Sequence, residues 1–114
     1  RSYPKVLHAK TGAAVAKYVF GESDEVCSAI YWHTTGRADM TLMEKIVYLA
    51  DYIEPTRSFD GVEELRAMAY EHLDRTLLRS FEMVLAELIR ENKRLCKETP
   101  EARDFLRRQL AVEA

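Results

Sequence analysis

The chain has 114 residues, which suits one small domain that buries roughly two-thirds of the surface exposed by its unfolded form. Its composition, 47% apolar and 32% charged, excludes a disordered polar tail and is typical of a folded domain made of amphipathic helices. Because the formal net charge is only -2, no overall field draws the chain to nucleic acid or to a membrane surface, so we expect neither as a partner and any phosphate binding has to be local.

Six segments have the apolar spacing of helices and none has the alternation of a strand, which predicts an all-α helical bundle. The predicted helices cover residues 7–20, 24 to about 34, 41–54, 60 to about 70, about 73–93 and 101 to about 110. The longest of them carries one continuous apolar stripe, which we expect to lie in the core. The stripe consists of Leu77, Leu78, Phe81, Val84, Leu85, Leu88 and Ile89.

Polar residues mark the beginnings of three of these helices. Thr41, followed three residues later by Glu44, has the form of a capping box. Asp60 is predicted to cap the next helix through its side chain. Thr99 and Pro100 are predicted to supply the cap and the first-turn proline of the final helix.

Two short segments, 35–40 and 54–60, resist a helical interpretation, and each contains one arginine. Loops held between packed helices are common positions for binding residues. Arg37 and Arg57 are therefore candidate ligand-binding residues, with surface salt bridges as the alternative interpretation.

The three histidines have different settings. His8 begins a helix beside small residues, and His33 lies on an apolar helix face directly before a polar loop. His72 lies among charged residues, which indicates a solvated position. A single histidine on an apolar face is more often a hydrogen-bonded core residue than a metal ligand, so both interpretations stay open for His8 and His33.

Asp51 lies in the most apolar helix of the chain, where an unpaired carboxylate is costly to bury. It therefore needs a metal ion or a cation such as Arg37, Arg57 or Lys45 beside it. Imidazole nitrogens with one carboxylate form a common ligand set for iron, manganese, zinc or cobalt. The residues alone do not decide between a metal site and a structural ion pair.

Cys27 and Cys96 are far apart and have no metal-ligand spacing, so we expect two free packing residues and a reducing compartment. No apolar run approaches the roughly 20 residues that span a bilayer, and the N-terminus has no secretory pattern. The expected location is the cytoplasm.

Three strings in this chain resemble one known family. They are LHA at residues 7–9, YWHTTGR at residues 31–37 and LADYIEP at residues 49–55, followed by Arg57. In this order they are similar to the second half of the bacterial YqeK group, the HD-domain family of symmetrical bis(5'-nucleosyl)-tetraphosphatases. The resemblance runs from about Pro4 to Ala102.

The resemblance implies an HD-domain-like helical bundle that binds a transition metal and cleaves diadenosine tetraphosphate into two ADP. It implies His8, His33 and Asp51 as metal ligands, with His33 and Asp51 as the catalytic pair. The implied cofactor is a divalent or mixed-valence metal, with iron favoured and manganese, cobalt, zinc or magnesium as alternatives. A homodimer is compatible with the family.

The same resemblance implies that the substrate's phosphates contact Arg37 and Arg57, because a guanidinium offers a planar fork suited to phosphate oxygens. Thr34 and Thr35 are implied as hydroxyl donors to phosphate.

The family's first metal-binding histidine and its His-Asp pair have no counterpart, since no His-Asp dipeptide occurs in this chain. We therefore interpret residues 1–114 as the C-terminal portion of an HD-type phosphohydrolase domain, expected to bind metal weakly and to hydrolyse little by itself. The alternatives are an HD-type hydrolase of other nucleotides and a non-catalytic helical module for binding or oligomerisation.

Overall fold

The computed structural model of the protein describes residues 12–17 and 20–113. Residues 12–17 are helical and are named α1 here. The later helices are α2 (Asp24–Trp32), α3 (Leu42–Tyr52), α4 (Val62–Met68), α5 (Leu73–Arg90) and α6 (Glu98–Glu113). This part of the chain has six helices and no strand, so the predicted all-α fold is confirmed. The predicted first helix also covers residues that lie outside the described ones.

Helix α5 is the central element, because it packs against α3, α4 and α6, while α2 packs against α3. Its predicted apolar stripe accounts for the middle of the core, with Leu77 and Phe81 fully buried and Leu85 nearly so. The core prediction was wrong for Ile89, whose surface is 67% exposed. That residue lies in the last turn of α5, beyond the reach of the neighbouring helices.

The capping box at the start of α3 is confirmed, since Thr41 and Glu44 exchange both expected hydrogen bonds. The cap predicted at Asp60 was wrong. Helix α4 begins after Gly61, which has a φ of 92° and no side chain to cap with. A side chain at Gly61 would meet only the flexible end of Met83, which can move aside, so it is the positive φ that favours glycine here.

The cap predicted at Thr99 was also wrong, because α6 already begins at Glu98. Pro100 lies within the first turn, where a missing backbone N–H costs no helical hydrogen bond. The buried hydroxyl of Thr99 instead donates to the carbonyl oxygen of Thr35 at 2.9 Å. This bond ties the start of α6 to the loop that follows α2.

That loop passes closely over the core at Gly36. The φ of Gly36 is +71°, and a Cβ there would stand only 2.6 Å from the ring of Phe81. Its N–H also continues the hydrogen bonding of α2 by donating to the carbonyl of Trp32 at 2.8 Å. Glycine at this position is therefore fixed by the backbone conformation and by the packing of Phe81.

Within the described residues, no helix is both long enough and apolar enough to cross a membrane.

Glu44 is the buried polar centre between α2 and α3. Its side chain is fully buried and accepts two hydrogen bonds from Arg37, at 2.9 and 2.7 Å, and a short one from the hydroxyl of Ser28. It also accepts from the backbone N–H of Thr41 at 3.1 Å. Burial acts to raise the pKa of Glu44, but the hydrogen bonds from Arg37, Ser28 and Thr41 outweigh it, so that the pKa is lowered.

We predict that Gly36→Ala lowers the free energy of unfolding by about 2–4 kcal/mol, because it adds an unfavourable positive φ and a clash with Phe81. Gly21→Ala is the matched control. Gly21 has a similar φ of +68° with nothing within 4 Å of the added Cβ, so only the backbone cost of about 1 kcal/mol applies. Urea unfolding of both variants measures the difference, and equal losses would contradict the packing argument.

We predict that Glu44→Gln loses about 1.5–3 kcal/mol of stability at pH 7, because Arg37 loses its charged acceptor. A lowered pKa in the folded state means that Glu44 stabilises fully above its ordinary value of 4.5 and loses this contribution as the pH falls through the lowered value. The difference between wild type and variant should therefore shrink from pH 7 to about pH 3. Urea unfolding at both pH values tests this, with exposed Glu101→Gln as the control, and a pH-independent difference would refute it.

Candidate active site

A cavity of about 470 Å³ lies among α3, α5, the loop after α2 and the loop between α5 and α6. Five of the seven residues with a predicted site role line it. These are His33, Thr34, Thr35, Asp51 and Arg57. The loop after α2 therefore meets the C-terminal end of α3 at one cavity, although the two segments are separated in sequence.

His33 follows the last residue of α2 and is half-buried. Its ring Nδ1 lies 2.6 Å from the carbonyl oxygen of Ile30. A carbonyl only accepts hydrogen bonds, so Nδ1 must carry the proton when the ring is neutral. The lone pair is then on Nε2, and this backbone contact fixes the tautomer and orientation, as it does for many metal-binding histidines.

Asp51 is the second-last residue of α3. Its side chain is 44% exposed, so the expectation of a buried carboxylate was wrong. Of the three cations considered as partners, Arg57 lies beside it, with Nη2 at 3.3 Å from Oδ2. Lys45 instead pairs with Asp74 at 2.7 Å. The carboxylate thus faces the cavity with one long ion pair.

The loop that carries Arg57 is held by Arg66 of α4. The guanidinium of Arg66 donates to the carbonyl oxygens of Ile53, Glu54 and Arg57, each at 2.9 Å. These carbonyls follow the end of α3, where backbone acceptors have no helical partner. One partly buried arginine side chain thereby fixes the backbone from which Arg57 extends.

The two threonines differ in what their hydroxyls contact. The Thr35 hydroxyl donates to the carbonyl of Gly36 at 2.9 Å. The Thr34 hydroxyl oxygen is buried and has no hydrogen-bond partner among the residues that the structure describes. Because a buried polar group without a partner is costly, Thr34 is the better candidate for a ligand contact.

Arg37 does not line the cavity. Its guanidinium forms the two-pronged ion pair with Glu44 and lies 5.5 Å from the centre of the Trp32 ring. From the sequence, Glu44 had a predicted role only in the capping box. Its pairing with Arg37 was therefore not predicted, which left Arg37 as a candidate for binding phosphate. A fully buried carboxylate needs a cation, and Arg37 is the one that contacts it.

His8 lies outside the described residues, so the structure does not place it relative to His33 and Asp51. His72 is exposed and precedes α5, in agreement with the solvated position predicted for it.

Seven further residues line the cavity that the sequence patterns did not single out as site residues: Tyr48, Tyr52, Val84, Leu88, Arg94, Cys96 and Thr99. Tyr48 precedes Asp51 by three residues, so helical spacing could have placed both on one face. Burial, followed by the influence of Tyr52, Asp51 and Cys96, raises the pKa of Tyr48 well above that of an ordinary phenol. Its hydroxyl therefore stays protonated and remains a hydrogen-bond donor.

His33 and Asp51 fit part of a transition-metal site, since they bring one imidazole Nε2 and one carboxylate to the same cavity. Residues 12–17 and 20–113 contain no group of three or more His, Cys, Asp or Glu side chains that could hold a metal ion by themselves. Any such site needs further ligands from outside the described part of the chain.

The chain is similar to several known proteins. The HD domain family matches residues 2–56 of the chain. The symmetrical bis(5'-nucleosyl)-tetraphosphatase of Bacillus subtilis (strain 168) is 40% identical over 97 residues, covering 84% of this chain and 52% of that enzyme. Its namesake from Staphylococcus aureus (strain NCTC 8325 / PS 47) is 41% identical over 91 residues, covering 77% of this chain and 47% of that enzyme.

A crystal structure described as an HD superfamily hydrolase involved in NAD metabolism, from Clostridium acetobutylicum, has the same fold with a TM-score of 0.86. The two sequences are 46% identical, and the match covers 90% of this chain and 55% of the Clostridium acetobutylicum chain. The chain spans about half the length of the relatives it matches. On these matches residues 2–56 of the chain correspond to an HD domain, and the chain is homologous to the symmetrical bis(5'-nucleosyl)-tetraphosphatases.

Proposed function

We propose that this chain is part of a metal-dependent phosphohydrolase that cleaves diadenosine tetraphosphate symmetrically into two ADP. The observation that carries the proposal is the meeting of His33, Asp51 and Arg57 at one cavity. Two of these side chains are of metal-ligand type and the third is a phosphate-binding type. The choice of substrate is supported by the relatives, which are named symmetrical bis(5'-nucleosyl)-tetraphosphatases.

His33 and Asp51 would hold the metal, together with His8 and ligands from the rest of the protein. A bound transition metal would supply a Lewis acid that polarises a phosphoryl oxygen and lowers the pKa of water. The role of this chain is to orient the donors. The carbonyl of Ile30 keeps the proton on Nδ1 of His33, so that Nε2 is presented unprotonated.

The substrate's phosphates would be bound by Arg57 and Thr34. Arg57 has its backbone fixed by Arg66, and its guanidinium lies beside Asp51 at the cavity. The buried hydroxyl of Thr34 has no protein partner in the described residues and would gain one in a phosphate oxygen. Thr35 would act mainly through its backbone, since its hydroxyl is already bonded to Gly36.

The finer points of the proposal rest on the sequence alone. Iron is the favoured metal because of the resemblance to the family, and a homodimer is compatible with that resemblance. A cytoplasmic location is proposed because the chain's two cysteines, Cys27 and Cys96, are both free thiols.

We predict different losses for two substitutions in the longer enzyme that contains this chain. Asp51→Asn keeps the shape of the side chain but removes its charge, so both metal content and turnover should fall. Arg57→Ala should keep the metal while raising KM, lowering kcat, or both, by about 1.5–3 kcal/mol in kcat/KM. Metal analysis and steady-state kinetics on the same preparations measure both effects.

Asp74→Asn and Arg79→Ala are the matched controls, because each breaks an ion pair outside the cavity. They should change neither metal content nor kcat/KM. If Asp51→Asn kept both metal and rate, or Arg57→Ala lost the metal, the assigned roles would be wrong.

We also predict that the 114-residue chain alone binds metal weakly and hydrolyses diadenosine tetraphosphate slowly, because its described residues bring too few ligands together. Addition of the longer enzyme's remaining segment, in the same chain or as a separate one, should restore tight metal binding. Equal turnover by the short chain and the longer enzyme would contradict the ligand assignment.

A further inference from the structure

Arg94 is a cationic residue of the cavity that no sequence motif indicated. It lies in the loop between α5 and α6, is exposed, and lines the same cavity as His33 and Asp51. Within residues 12–17 and 20–113, no carboxylate pairs with it, whereas Arg57 contacts both Asp51 and Glu54. Its charge at the cavity is therefore not neutralised by the protein around it.

The backbone that carries Arg94 has a defined path. Asn92 has a φ of 57°, and its N–H donates to the carbonyl of Ile89, while the N–H of Lys93 donates to the carbonyl of Leu88 at 2.8 Å. These two bonds form a Schellman motif, which ends α5 and reverses the chain. Arg94 follows the reversal directly and so returns toward the cavity.

The far end of the same loop is also fixed. The Thr99 hydroxyl donates to the carbonyl of Thr35, and the Cys96 thiol lies 3.6 Å from the Thr99 hydroxyl. Arg94 is therefore held between a closed helix end and a buried hydrogen bond to the loop that carries His33 and Thr34. The loop is part of the cavity wall and not a loose surface segment.

The charges of the lining residues give Arg94 its significance. Apart from His33, the lining side chains of acidic or basic residues are those of Asp51, Arg57 and Arg94. Asp51 pairs with Arg57 at 3.3 Å and Glu54 contacts the same guanidinium at 3.5 Å, so Arg94 is the lining cation that no carboxylate of the described residues pairs with. A polyanion entering the cavity would meet this charge without first breaking an ion pair.

We propose that Arg94 is a second phosphate-binding residue of this cavity and increases its affinity for polyphosphate chains. The identity of the natural polyphosphate rests on the function proposed above, but anion binding at Arg94 does not require hydrolysis. The apolar side chains of Val84 and Leu88 on α5 form the adjoining wall. A phosphorylated nucleoside thus has both a cation and an apolar surface to contact there.

Calorimetric titration of the 114-residue chain with inorganic tripolyphosphate and with ADP tests this at low and moderate NaCl. Arg94→Ala should raise the Kd for tripolyphosphate about tenfold and weaken its salt dependence. Arg94→Lys should recover part of the affinity, because the charge is retained without the fork. Arg75→Ala is the matched control. Arg75 is also exposed, but it lies in the first turn of α5 and lines a different depression.

Unchanged affinity in Arg94→Ala, equal loss in Arg75→Ala, or no measurable binding by the wild-type chain would each overturn the proposal. Thermal unfolding of all variants checks that the fold is kept.

Kinetics of the longer enzyme separate this proposal from the proposed function. If that enzyme does not cleave diadenosine tetraphosphate while anion binding still depends on Arg94, the function is wrong and Arg94 stands. If the longer enzyme cleaves diadenosine tetraphosphate and its KM is the same with and without Arg94→Ala, the proposed function stands and the role of Arg94 is wrong.

Discussion

The close approach of the Gly36 backbone to the Phe81 ring determines how the cavity is built. Phe81 is fully buried at the centre of α5, and the ring leaves no room for a Cβ above it. The loop after α2 is therefore pressed onto the core at this point. The residues before Gly36 are directed to the cavity, whereas Arg37 after it is directed to Glu44. One glycine thus separates the cavity residues from the structural ion pair.

The role of each arginine in this domain depends on the acceptor that its guanidinium contacts. Arg37 is paired with a fully buried carboxylate and so is structural. Arg66 is occupied by three backbone carbonyls. Arg57 contacts two partly exposed carboxylates at 3.3 and 3.5 Å, and in the proposed function these contacts would be exchanged for a phosphate at little cost. Of these three arginines, Arg57 has the contacts that a ligand would displace most easily.

The sequence predicted what depends on local patterns. The helices, the capping box at Thr41 and the buried part of the α5 stripe were correct because spacing and capping act within a few residues. The predicted starts of α4 and α6 were wrong, because tertiary packing determines the conformation at Gly61 and at Thr99. The bond from Thr99 to Thr35 joins residues 64 positions apart, so no local pattern could have brought Arg94 and Cys96 to the cavity. The ion pair of Arg37 with Glu44 was not predicted, because Glu44 already had a local explanation in the capping box; phosphate binding by Arg37 stays a prediction.

The ion pair between Arg57 and Asp51 has a consequence for the order in which ligands bind. In the proposed function, a cation bound at Asp51 would compete with Arg57 for the same carboxylate, since like charges around one acceptor repel. The hold of Asp51 on Arg57 would then weaken, while the backbone of Arg57 stays fixed by Arg66. The guanidinium would remain beside the cavity and be available to an incoming anion. Occupation of Asp51 by a metal and binding of phosphate at Arg57 would therefore be coupled positively through this one side chain, and by linkage each would strengthen the other.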